Sequence, residues 1–267
     1  LEAGADVILM PASVQGAVEG IVEAVREGRI SEERLDRSVM RVLQTKEDLR
    51  LHEERMVPIE QIRRTVGIPD HVQVAERIAQ ESITLLQNKR GLLPLAGTRS
   101  ARVMSVSYRR QSDVLAGRFF NRSLRETYPR LVTAEVDADS DDRLYEALKR
   151  RARDQALVVV GTYVTSVNVS GSFTLPDDLV DFIRHLERIG VPHVVVSFGN
   201  PYLIMDFPDV QSYLLAWSGS EASQRAAVRA MLGHADIVGR VPTRIPPLFE
   251  IGDGLQIPGK DRIAGGG

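Results

Sequence analysis

Short apolar runs alternate with amphipathic segments through the middle and the second half of the chain. The apolar runs have the length of buried strands and cover residues 103–106, 131–136, 157–161, 194–198 and 213–216. Between these runs, the apolar residues recur with helical spacing at 112–127, 141–154, 176–189 and 221–233. Regular alternation of strand and helix predicts an α/β fold, an α/β/α sandwich with a mostly parallel sheet.

The start of the chain has a different pattern. Residues 7–10 form a continuous apolar run that Pro11 ends, which is typical of a strand buried on both faces. Two amphipathic helices are predicted to follow, the first capped by Ser13 and the second by Ser31. Residues 52–69 are polar and contain prolines, so they predict a linker with at most short helical turns.

A further helix is predicted to connect this linker to the alternating region. Asp70 is in position to cap it, with Gln73 in the capping-box position. A short extended piece and a turn follow between Leu85 and Leu95, and the chain past Gly239 is rich in proline and glycine.

Composition and charge exclude several classes of function. The 267 residues are 43% apolar with a formal net charge of −2, so no basic excess points to nucleic acid. No apolar stretch approaches the ~20 residues that a membrane helix needs. The chain has no cysteine, and its histidines lack metal-ligand spacing, so neither a metal nor a cofactor is predicted. Neither phosphate-binding glycine motif is present, which argues against a nucleotide.

The loop after the strand at 157–161 is the place where a doubly wound sheet would gather ligand contacts. Residues 155–176 contain no Asp or Glu, so this segment cannot supply a carboxyl acid or base. It offers side chains that could hydrogen-bond a neutral polyol, namely Thr162, Tyr163, Thr165, Ser166, Asn168, Ser170 and Ser172. A polar surface loop is the competing interpretation. Trp217, after a later strand, could stack on a sugar ring or serve as a core residue.

Five motifs occur in an order that resembles the family 3 glycoside hydrolases. Residues 1–11 (LEAGADVILMP) resemble the family's A-L-x-A-G-x-D-x-L-L-x-P, and residues 28–46 resemble its G-x-I-x-x-x-R-L-D-x-S-V-x-R-I-L-x-x-K. Residues 79–95 are similar to the entry into the family's second domain. Residues 199–202 and 239–255 are similar to its closing motifs.

This resemblance implies a division of the chain. Residues 1–51 would be the last strand and helices of a (β/α)8 barrel, and residues 52–95 a linker and connecting helix. Residues 96–258 would be the α/β/α sandwich, and residues 259–267 a disordered tail.

The resemblance also implies where the catalytic groups lie. The family's nucleophile is an Asp upstream of the segment matched by residues 1–11, so no residue here is assigned a catalytic role. The β-glucosidase-like branch has its acid/base Glu before an L-P motif, which Leu175 and Pro176 match here without a carboxylate. The β-N-acetylglucosaminidase branch uses a His–Asp pair on a barrel loop, so this branch is favoured.

The resulting hypothesis is the C-terminal part of a retaining glycosidase acting on terminal β-linked N-acetylglucosamine, as in muropeptides or chitin fragments. Met10, Pro11, Tyr163 and Asn168 are the predicted substrate contacts. The alternatives are a β-glucosidase-type member of the family and a non-enzymatic sugar-binding or structural domain. The predicted partners are a carbohydrate substrate and a second copy held through the exposed barrel remnant. The compartment stays open, with a bacterial periplasmic or secreted location favoured.

Overall fold

The computed structural model describes residues 1–95, 98–164 and 174–260. The chain divides into two compact units, Leu1–Ile68 and the part that begins at Pro69. Within the described residues, no helix is long and apolar enough to cross a bilayer.

Helices make up the regular structure of the first unit: α1 (Val14–Arg26), α2 (Glu32–Asp48) and the short α3 (Ile59–Thr65). Both predicted caps are confirmed. The Ser13 hydroxyl accepts a hydrogen bond from the Gly16 amide at 3.0 Å, and the Ser31 hydroxyl accepts one from the Arg34 amide at 3.2 Å. Each cap satisfies an amide that the first turn of a helix leaves unpaired.

The strand expected over residues 7–10 is not formed. Leu9 is 85% exposed and Met10 is 88% exposed, and Met10 has a positive φ of 52°. A strand exists only through hydrogen bonds to a neighbouring strand. Residues 1–68, all of which the structure describes, contain no other strand that could supply these bonds.

Asp6 links the two family-like motifs of the first unit. Its carboxylate accepts hydrogen bonds from Arg34 at 3.2 Å, Ser38 at 2.8 Å and Arg41 at 2.7 Å, all on α2. The Arg41 bond, with help from Ser38 and Arg34, lowers the pKa of Asp6 from 3.8 to about 2. Asp6 therefore holds residues 1–11 to α2, and the spacing R-x-x-x-S-x-x-R places the three donors on one side of that helix.

The second unit is the expected α/β/α sandwich. Its described residues form the strands β1 (Thr84–Asn88), β2 (Val103–Tyr108), β3 (Val132–Val136), β4 (Leu157–Thr162), β5 (His193–Ser197) and β6 (Ser212–Leu215). These strands lie in one sheet in the order β1-β6-β5-β4-β2-β3, with β1 antiparallel to β6 and all other pairs parallel. The helices are α4 (Pro69–Ser82), α5 (Arg118–Thr127), α6 (Asp142–Ala152), α7 (Asp177–Arg188) and α8 (Glu221–Leu232).

Two separate hydrophobic clusters cover the two faces of the sheet. In β4, Val159 joins the cluster formed with α4, α5 and α8, whereas Val158 and Val160 join the cluster formed with α6 and α7. Because side chains alternate along a strand, a strand covered on both faces is apolar throughout. The continuous runs at 157–161 and 194–198 are explained in this way.

Helix α4 begins two residues earlier than expected, because a cap at Asp70 would have made residue 71 the first of the helix. Pro69 is its first residue, so Asp70 lies inside the first turn and is not the cap. Proline suits this position because its missing N–H would have had no partner there.

The closing motif at 239–255 folds back against β1. The Gly239 amide donates to the Ile83 carbonyl at 3.1 Å, and the Leu255 amide donates to the Leu85 carbonyl at 2.8 Å. A Cβ at Gly239 would lie 2.5 Å from the Ile83 oxygen, so only glycine allows this approach. The motif therefore seals the antiparallel edge of the sheet.

Gln224 of α8 is fully buried and uses its whole side-chain amide. Its Oε1 accepts hydrogen bonds from the amides of Phe119 at 3.1 Å and Phe120 at 3.0 Å, at the start of α5. Its Nε2 donates to the carbonyls of Leu115 at 3.2 Å and Gly219 at 2.7 Å. One side chain thus ties together α8, the start of α5 and the loops after β2 and β6.

Replacing Gln224 with leucine should lower the free energy of unfolding by about 2–4 kcal/mol, because buried amides and carbonyls lose their partner. Urea denaturation measures the change. The matched control is Gln73→Leu at an exposed helical position of α4, which should stay within about 0.5 kcal/mol. Equal effects of the two variants would contradict the role assigned to Gln224.

Acid should remove the stabilisation that Asp6 provides. Its folded pKa, about 2, lies below the ordinary value of 3.8, so the contribution is present above pH 3.8 and is lost as the pH falls through 2. The difference in melting temperature between the wild type and Asp6→Asn should therefore shrink over this range. Circular dichroism between pH 5 and 2 tests this. The control is Asp36→Asn, at an exposed position of α2, which should show no such convergence.

Self-association stays a prediction, and the exposed apolar face of α1 is the surface that we expect to mediate it. Val14 is 70% exposed, Val18 52% and Val22 42%, at the spacing of one helical face. Val18→Lys should shift the chain toward the monomer in sedimentation experiments, whereas Gln15→Lys on the polar face should not. A chain that is monomeric at all concentrations would contradict the prediction.

Candidate functional site

The carboxyl ends of the parallel strands are where ligands bind in sheets of this kind, above all where the strand order reverses. Here the reversal lies between β2 and β4. The loop after β2 leads into α5, and the loop after β4 leads into α7.

Side chains fill the position of strand reversal. Gln224 already bonds the first amides of α5, which would otherwise be available to an anion. Gly117, just before α5, has a φ of 75°, and a Cβ there would lie 2.6 Å from the Ser107 hydroxyl oxygen. The backbone is therefore packed closely at this point, which gives a structural reason for the missing nucleotide motif.

Tyr163 lies in the core. It is 3% exposed, and its ring stacks on Phe198 with centroids 4.4 Å apart and an interplanar angle of 3°. Phe198 in turn meets Phe120 edge-on at 5.3 Å. Burial raises the pKa of Tyr163 well above its ordinary value. The predicted contact between Tyr163 and a sugar stays a prediction, and the structure gives the ring a packing role instead.

The other predicted contacts are placed differently. Thr162 is fully buried within β4. Asn168 lies outside the described residues, as do Thr165, Ser166, Ser170 and Ser172. Met10 is exposed and Pro11 is half-buried, and both belong to the first unit, where their role as substrate contacts stays a prediction.

A pocket of about 470 Å³ opens beside the strand reversal, at the carboxyl ends of β4, β5 and β6. Each strand contributes a lining segment, through Val164 after β4, Gly199 and Asn200 after β5, and Trp217 after β6. The remaining lining residues are Thr174, Pro201, Tyr202, Leu203, Met205 and Asp206. The family-like motif at 199–202 thus forms one wall of the pocket.

Hydrogen bonds fix this wall. The Asn200 amide donates to the Val164 carbonyl at 2.9 Å, and the Asn200 Oδ1 accepts from the Tyr202 amide at 2.9 Å. The Ser197 hydroxyl donates to the Asn200 carbonyl at 2.7 Å. Asn200 therefore caps the 3₁₀ turn Pro201–Asp206 and joins it to the end of β4.

Trp217 is half-buried and has the core contacts that the sequence allowed, whereas its stacking on a sugar ring stays a prediction. Its Nε1–H donates to the Thr84 hydroxyl at 3.2 Å, and its ring packs against the cluster on the α6–α7 face. The ring also lines the pocket.

Asp206 is the carboxylate that the sequence reading did not single out. It lies at the end of the 3₁₀ turn, four residues after the motif at 199–202, and it lines the pocket. Burial raises the pKa of Asp206, with a smaller rise from Asp177 and a counteracting effect of Arg184. Arg184 donates to the backbone carbonyl of Asp206, at 3.1 Å from Nε.

The other acidic groups near the sheet serve local structure. The Asp141 carboxylate caps α6 by accepting from the Leu144 amide at 2.9 Å, and Asp177 and Asp178 lie in the first turn of α7. Among the described residues, no group of three His, Asp or Glu side chains could hold a metal ion.

Comparison with known proteins identifies the sandwich. The family described as the glycosyl hydrolase family 3 C-terminal domain matches residues 83–259. A β-N-acetylglucosaminidase/β-glucosidase from Cellulomonas fimi is 27% identical over 256 residues, which cover 91% of this chain and 44% of the relative.

Solved structures agree with this fold. The β-glucoside phosphorylase BglX has a TM-score of 0.62 and 26% identity, covering 89% of this chain and 43% of that one. A family 3 β-N-acetylglucosaminidase from Paenibacillus has a TM-score of 0.60 and 22% identity, covering 84% and 42%, which supports the fold alone. This chain spans less than half the length of each of these proteins. Because the family match covers well over half of its residues, the chain belongs to glycosyl hydrolase family 3.

Proposed function

We propose that this chain is the C-terminal part of a retaining glycosidase that removes terminal β-linked N-acetylglucosamine, and that another part of the enzyme carries the nucleophile and the acid/base. The observation that carries the proposal is the match of residues 83–259 to the family's C-terminal domain, in a chain with no carboxylate between 155 and 176.

A retaining mechanism needs two catalytic groups that flank the glycosidic bond at a short distance from each other. The described ends of the β4–α7 loop, Val164 and Thr174, reach the pocket without bringing a carboxyl group. This fits the branch of the family whose acid/base is a His–Asp pair on a barrel loop. The relative from Cellulomonas fimi, named for both β-N-acetylglucosaminidase and β-glucosidase activity, supports a substrate of this class.

Two specificities compete with this proposal within the same family. A β-glucosidase specificity is favoured by the second activity in the name of the Cellulomonas fimi relative. Phosphorolysis, in which phosphate replaces water as the acceptor, is favoured by the 26% identity to a β-glucoside phosphorylase. Both would use the same sandwich, because the choice of sugar and acceptor would lie with groups outside it.

The chain alone should not hydrolyse p-nitrophenyl β-N-acetylglucosaminide, nor the corresponding β-glucoside, with or without added phosphate. The physical reason is that, under this proposal, the nucleophile and the acid/base lie in another part of the enzyme. Release of p-nitrophenolate measures the reaction. Turnover by the pure chain that disappears in Asp206→Asn would overturn the proposal, because it would place a catalytic carboxylate in the pocket.

The specificity is decided in the complete enzyme that contains this chain. Preference for the N-acetylglucosaminide over the β-glucoside in kcat/KM supports the proposal, and the reverse preference sinks it. Formation of a sugar 1-phosphate in phosphate buffer would assign the enzyme to phosphorolysis.

A further inference from the structure

The backbone at Trp217 has an unfavourable conformation. Its φ is 59°, and the Ser218 amide donates to the Ala216 carbonyl at 2.7 Å, which closes a γ-turn around it. A bulky residue seldom adopts a positive φ, because its Cβ then crowds the following carbonyl. Such strain persists only where the surroundings enforce it, and it concentrates at functional sites.

Contacts on both sides enforce the position of Trp217. The Ala216 amide donates to the Ser197 carbonyl at 2.8 Å, which continues the β5–β6 pairing up to the turn. The indole Nε1–H is held by Thr84, whose own hydroxyl donates to the Ser82 carbonyl at 2.9 Å. The indole is therefore preorganised, with its polar edge fixed on β1 and part of its surface left in the pocket.

Large side chains stay exposed inside the same concavity. Tyr202 is 41% exposed and Met205 is 48% exposed, both on the 3₁₀ turn opposite the β6 end. The Tyr202 hydroxyl lies 3.3 Å from the Thr243 hydroxyl, which orients the phenol. An aromatic lining with a few oriented polar groups is the composition of a small-molecule site.

Asp206 gives the pocket its charge. Asp206 is half-buried, and the Arg184 guanidinium donates to its backbone oxygen rather than to its carboxylate. The raised pKa of Asp206 means that ionisation is penalised by burial. Hydroxyl groups of a ligand would relieve this penalty by donating to the carboxylate, whereas an anionic ligand would be repelled.

We propose that this pocket is a binding site for a neutral pyranose, with the Trp217 indole as the stacking platform and the Asp206 carboxylate as an acceptor for sugar hydroxyls. A sugar ring has an apolar face that suits an aromatic surface and a rim of hydroxyl donors that suits a carboxylate. The choice of N-acetylglucosamine as the first probe rests on the proposed function, whereas the site itself rests on the pocket.

Trp217 is the only tryptophan of the chain, so its fluorescence reports on the pocket directly. Titration of the full chain with N-acetylglucosamine, glucose and xylose should produce a saturable change in emission with at least one of these sugars. Glucuronate should produce none. The absence of a saturable change with all three neutral sugars overturns the proposal, as does a response to cyclohexanol that the sugars do not share.

Two variants separate binding from folding. Asp206→Asn should weaken sugar binding about tenfold, the loss expected for a hydrogen bond to a charged group, and should raise the melting temperature at neutral pH. Asp209→Asn, whose side chain is 91% exposed and lies outside this pocket, should change neither. Unchanged affinity in Asp206→Asn would overturn the assignment of the carboxylate.

Trp217→Leu tests the platform by a readout that does not need the indole. Saturation-transfer NMR on the sugar should lose its signal in this variant, while circular dichroism shows a folded chain. A retained signal would show that the sugar binds elsewhere. Binding is measured without turnover, so this proposal can fail while the proposed glycosidase function stands, and the reverse also holds.

Discussion

The carboxyl edge of the sheet depends on the side-chain amide of Gln224, whose oxygen and nitrogen each make two hydrogen bonds. Buried backbone groups need hydrogen-bond partners, and here one side chain satisfies two amides of α5 and two carbonyls of the flanking loops. A helix start that is bonded in this way has little to offer a phosphate. The constraint closes the position of strand reversal, and the open pocket lies instead over β4, β5 and β6. Gly219, which Gln224 bonds, lies two residues after Trp217, so the same constraint helps to fix the pocket wall.

Periodicity was enough to predict the sandwich, because covering a parallel sheet on both faces dictates its pattern. Strands β4 and β5 are buried along their whole length, and each has a run of three valines at its centre. The same reasoning failed at residues 7–10, where the apolar run has no partner strand among residues 1–68. The pattern of apolar residues indicates which segments tend to be buried. Strand formation also needs a partner strand, and the sequence of the segment does not show whether one is present. The sequence likewise could not show that Asp6 meets Arg34, Ser38 and Arg41, although all four lie within the quoted motifs.

The site was harder to predict than the fold, because side-chain direction decides it. Tyr163 and Val164 are adjacent at the end of β4, yet Tyr163 enters the core on Phe198 and Val164 lines the pocket. A shift by one residue changes the face of the sheet, and no feature of the loop sequence fixes which residue turns inward. Trp217 was recognisable as an aromatic residue after a strand. Asp206 was not, since it lies outside every motif and reaches the pocket only through the 3₁₀ turn that Asn200 caps.

The carboxylates of the chain divide by what surrounds them. Donors lower the pKa values of Asp6, Asp137, Glu146 and Asp181, so these groups stabilise the fold when ionised. Asp206 differs from them, because its pKa is shifted upward by burial and its ionised form is disfavoured in the free protein. A group of this kind is unfavourable for stability at neutral pH, and perturbed groups in concave sites are associated with function. Trp217 lies in the same pocket, and its positive φ is likewise unfavourable for stability. Two unfavourable features that meet in one concavity, on a fold that is otherwise locally consistent, are better explained by a ligand than by the requirements of folding.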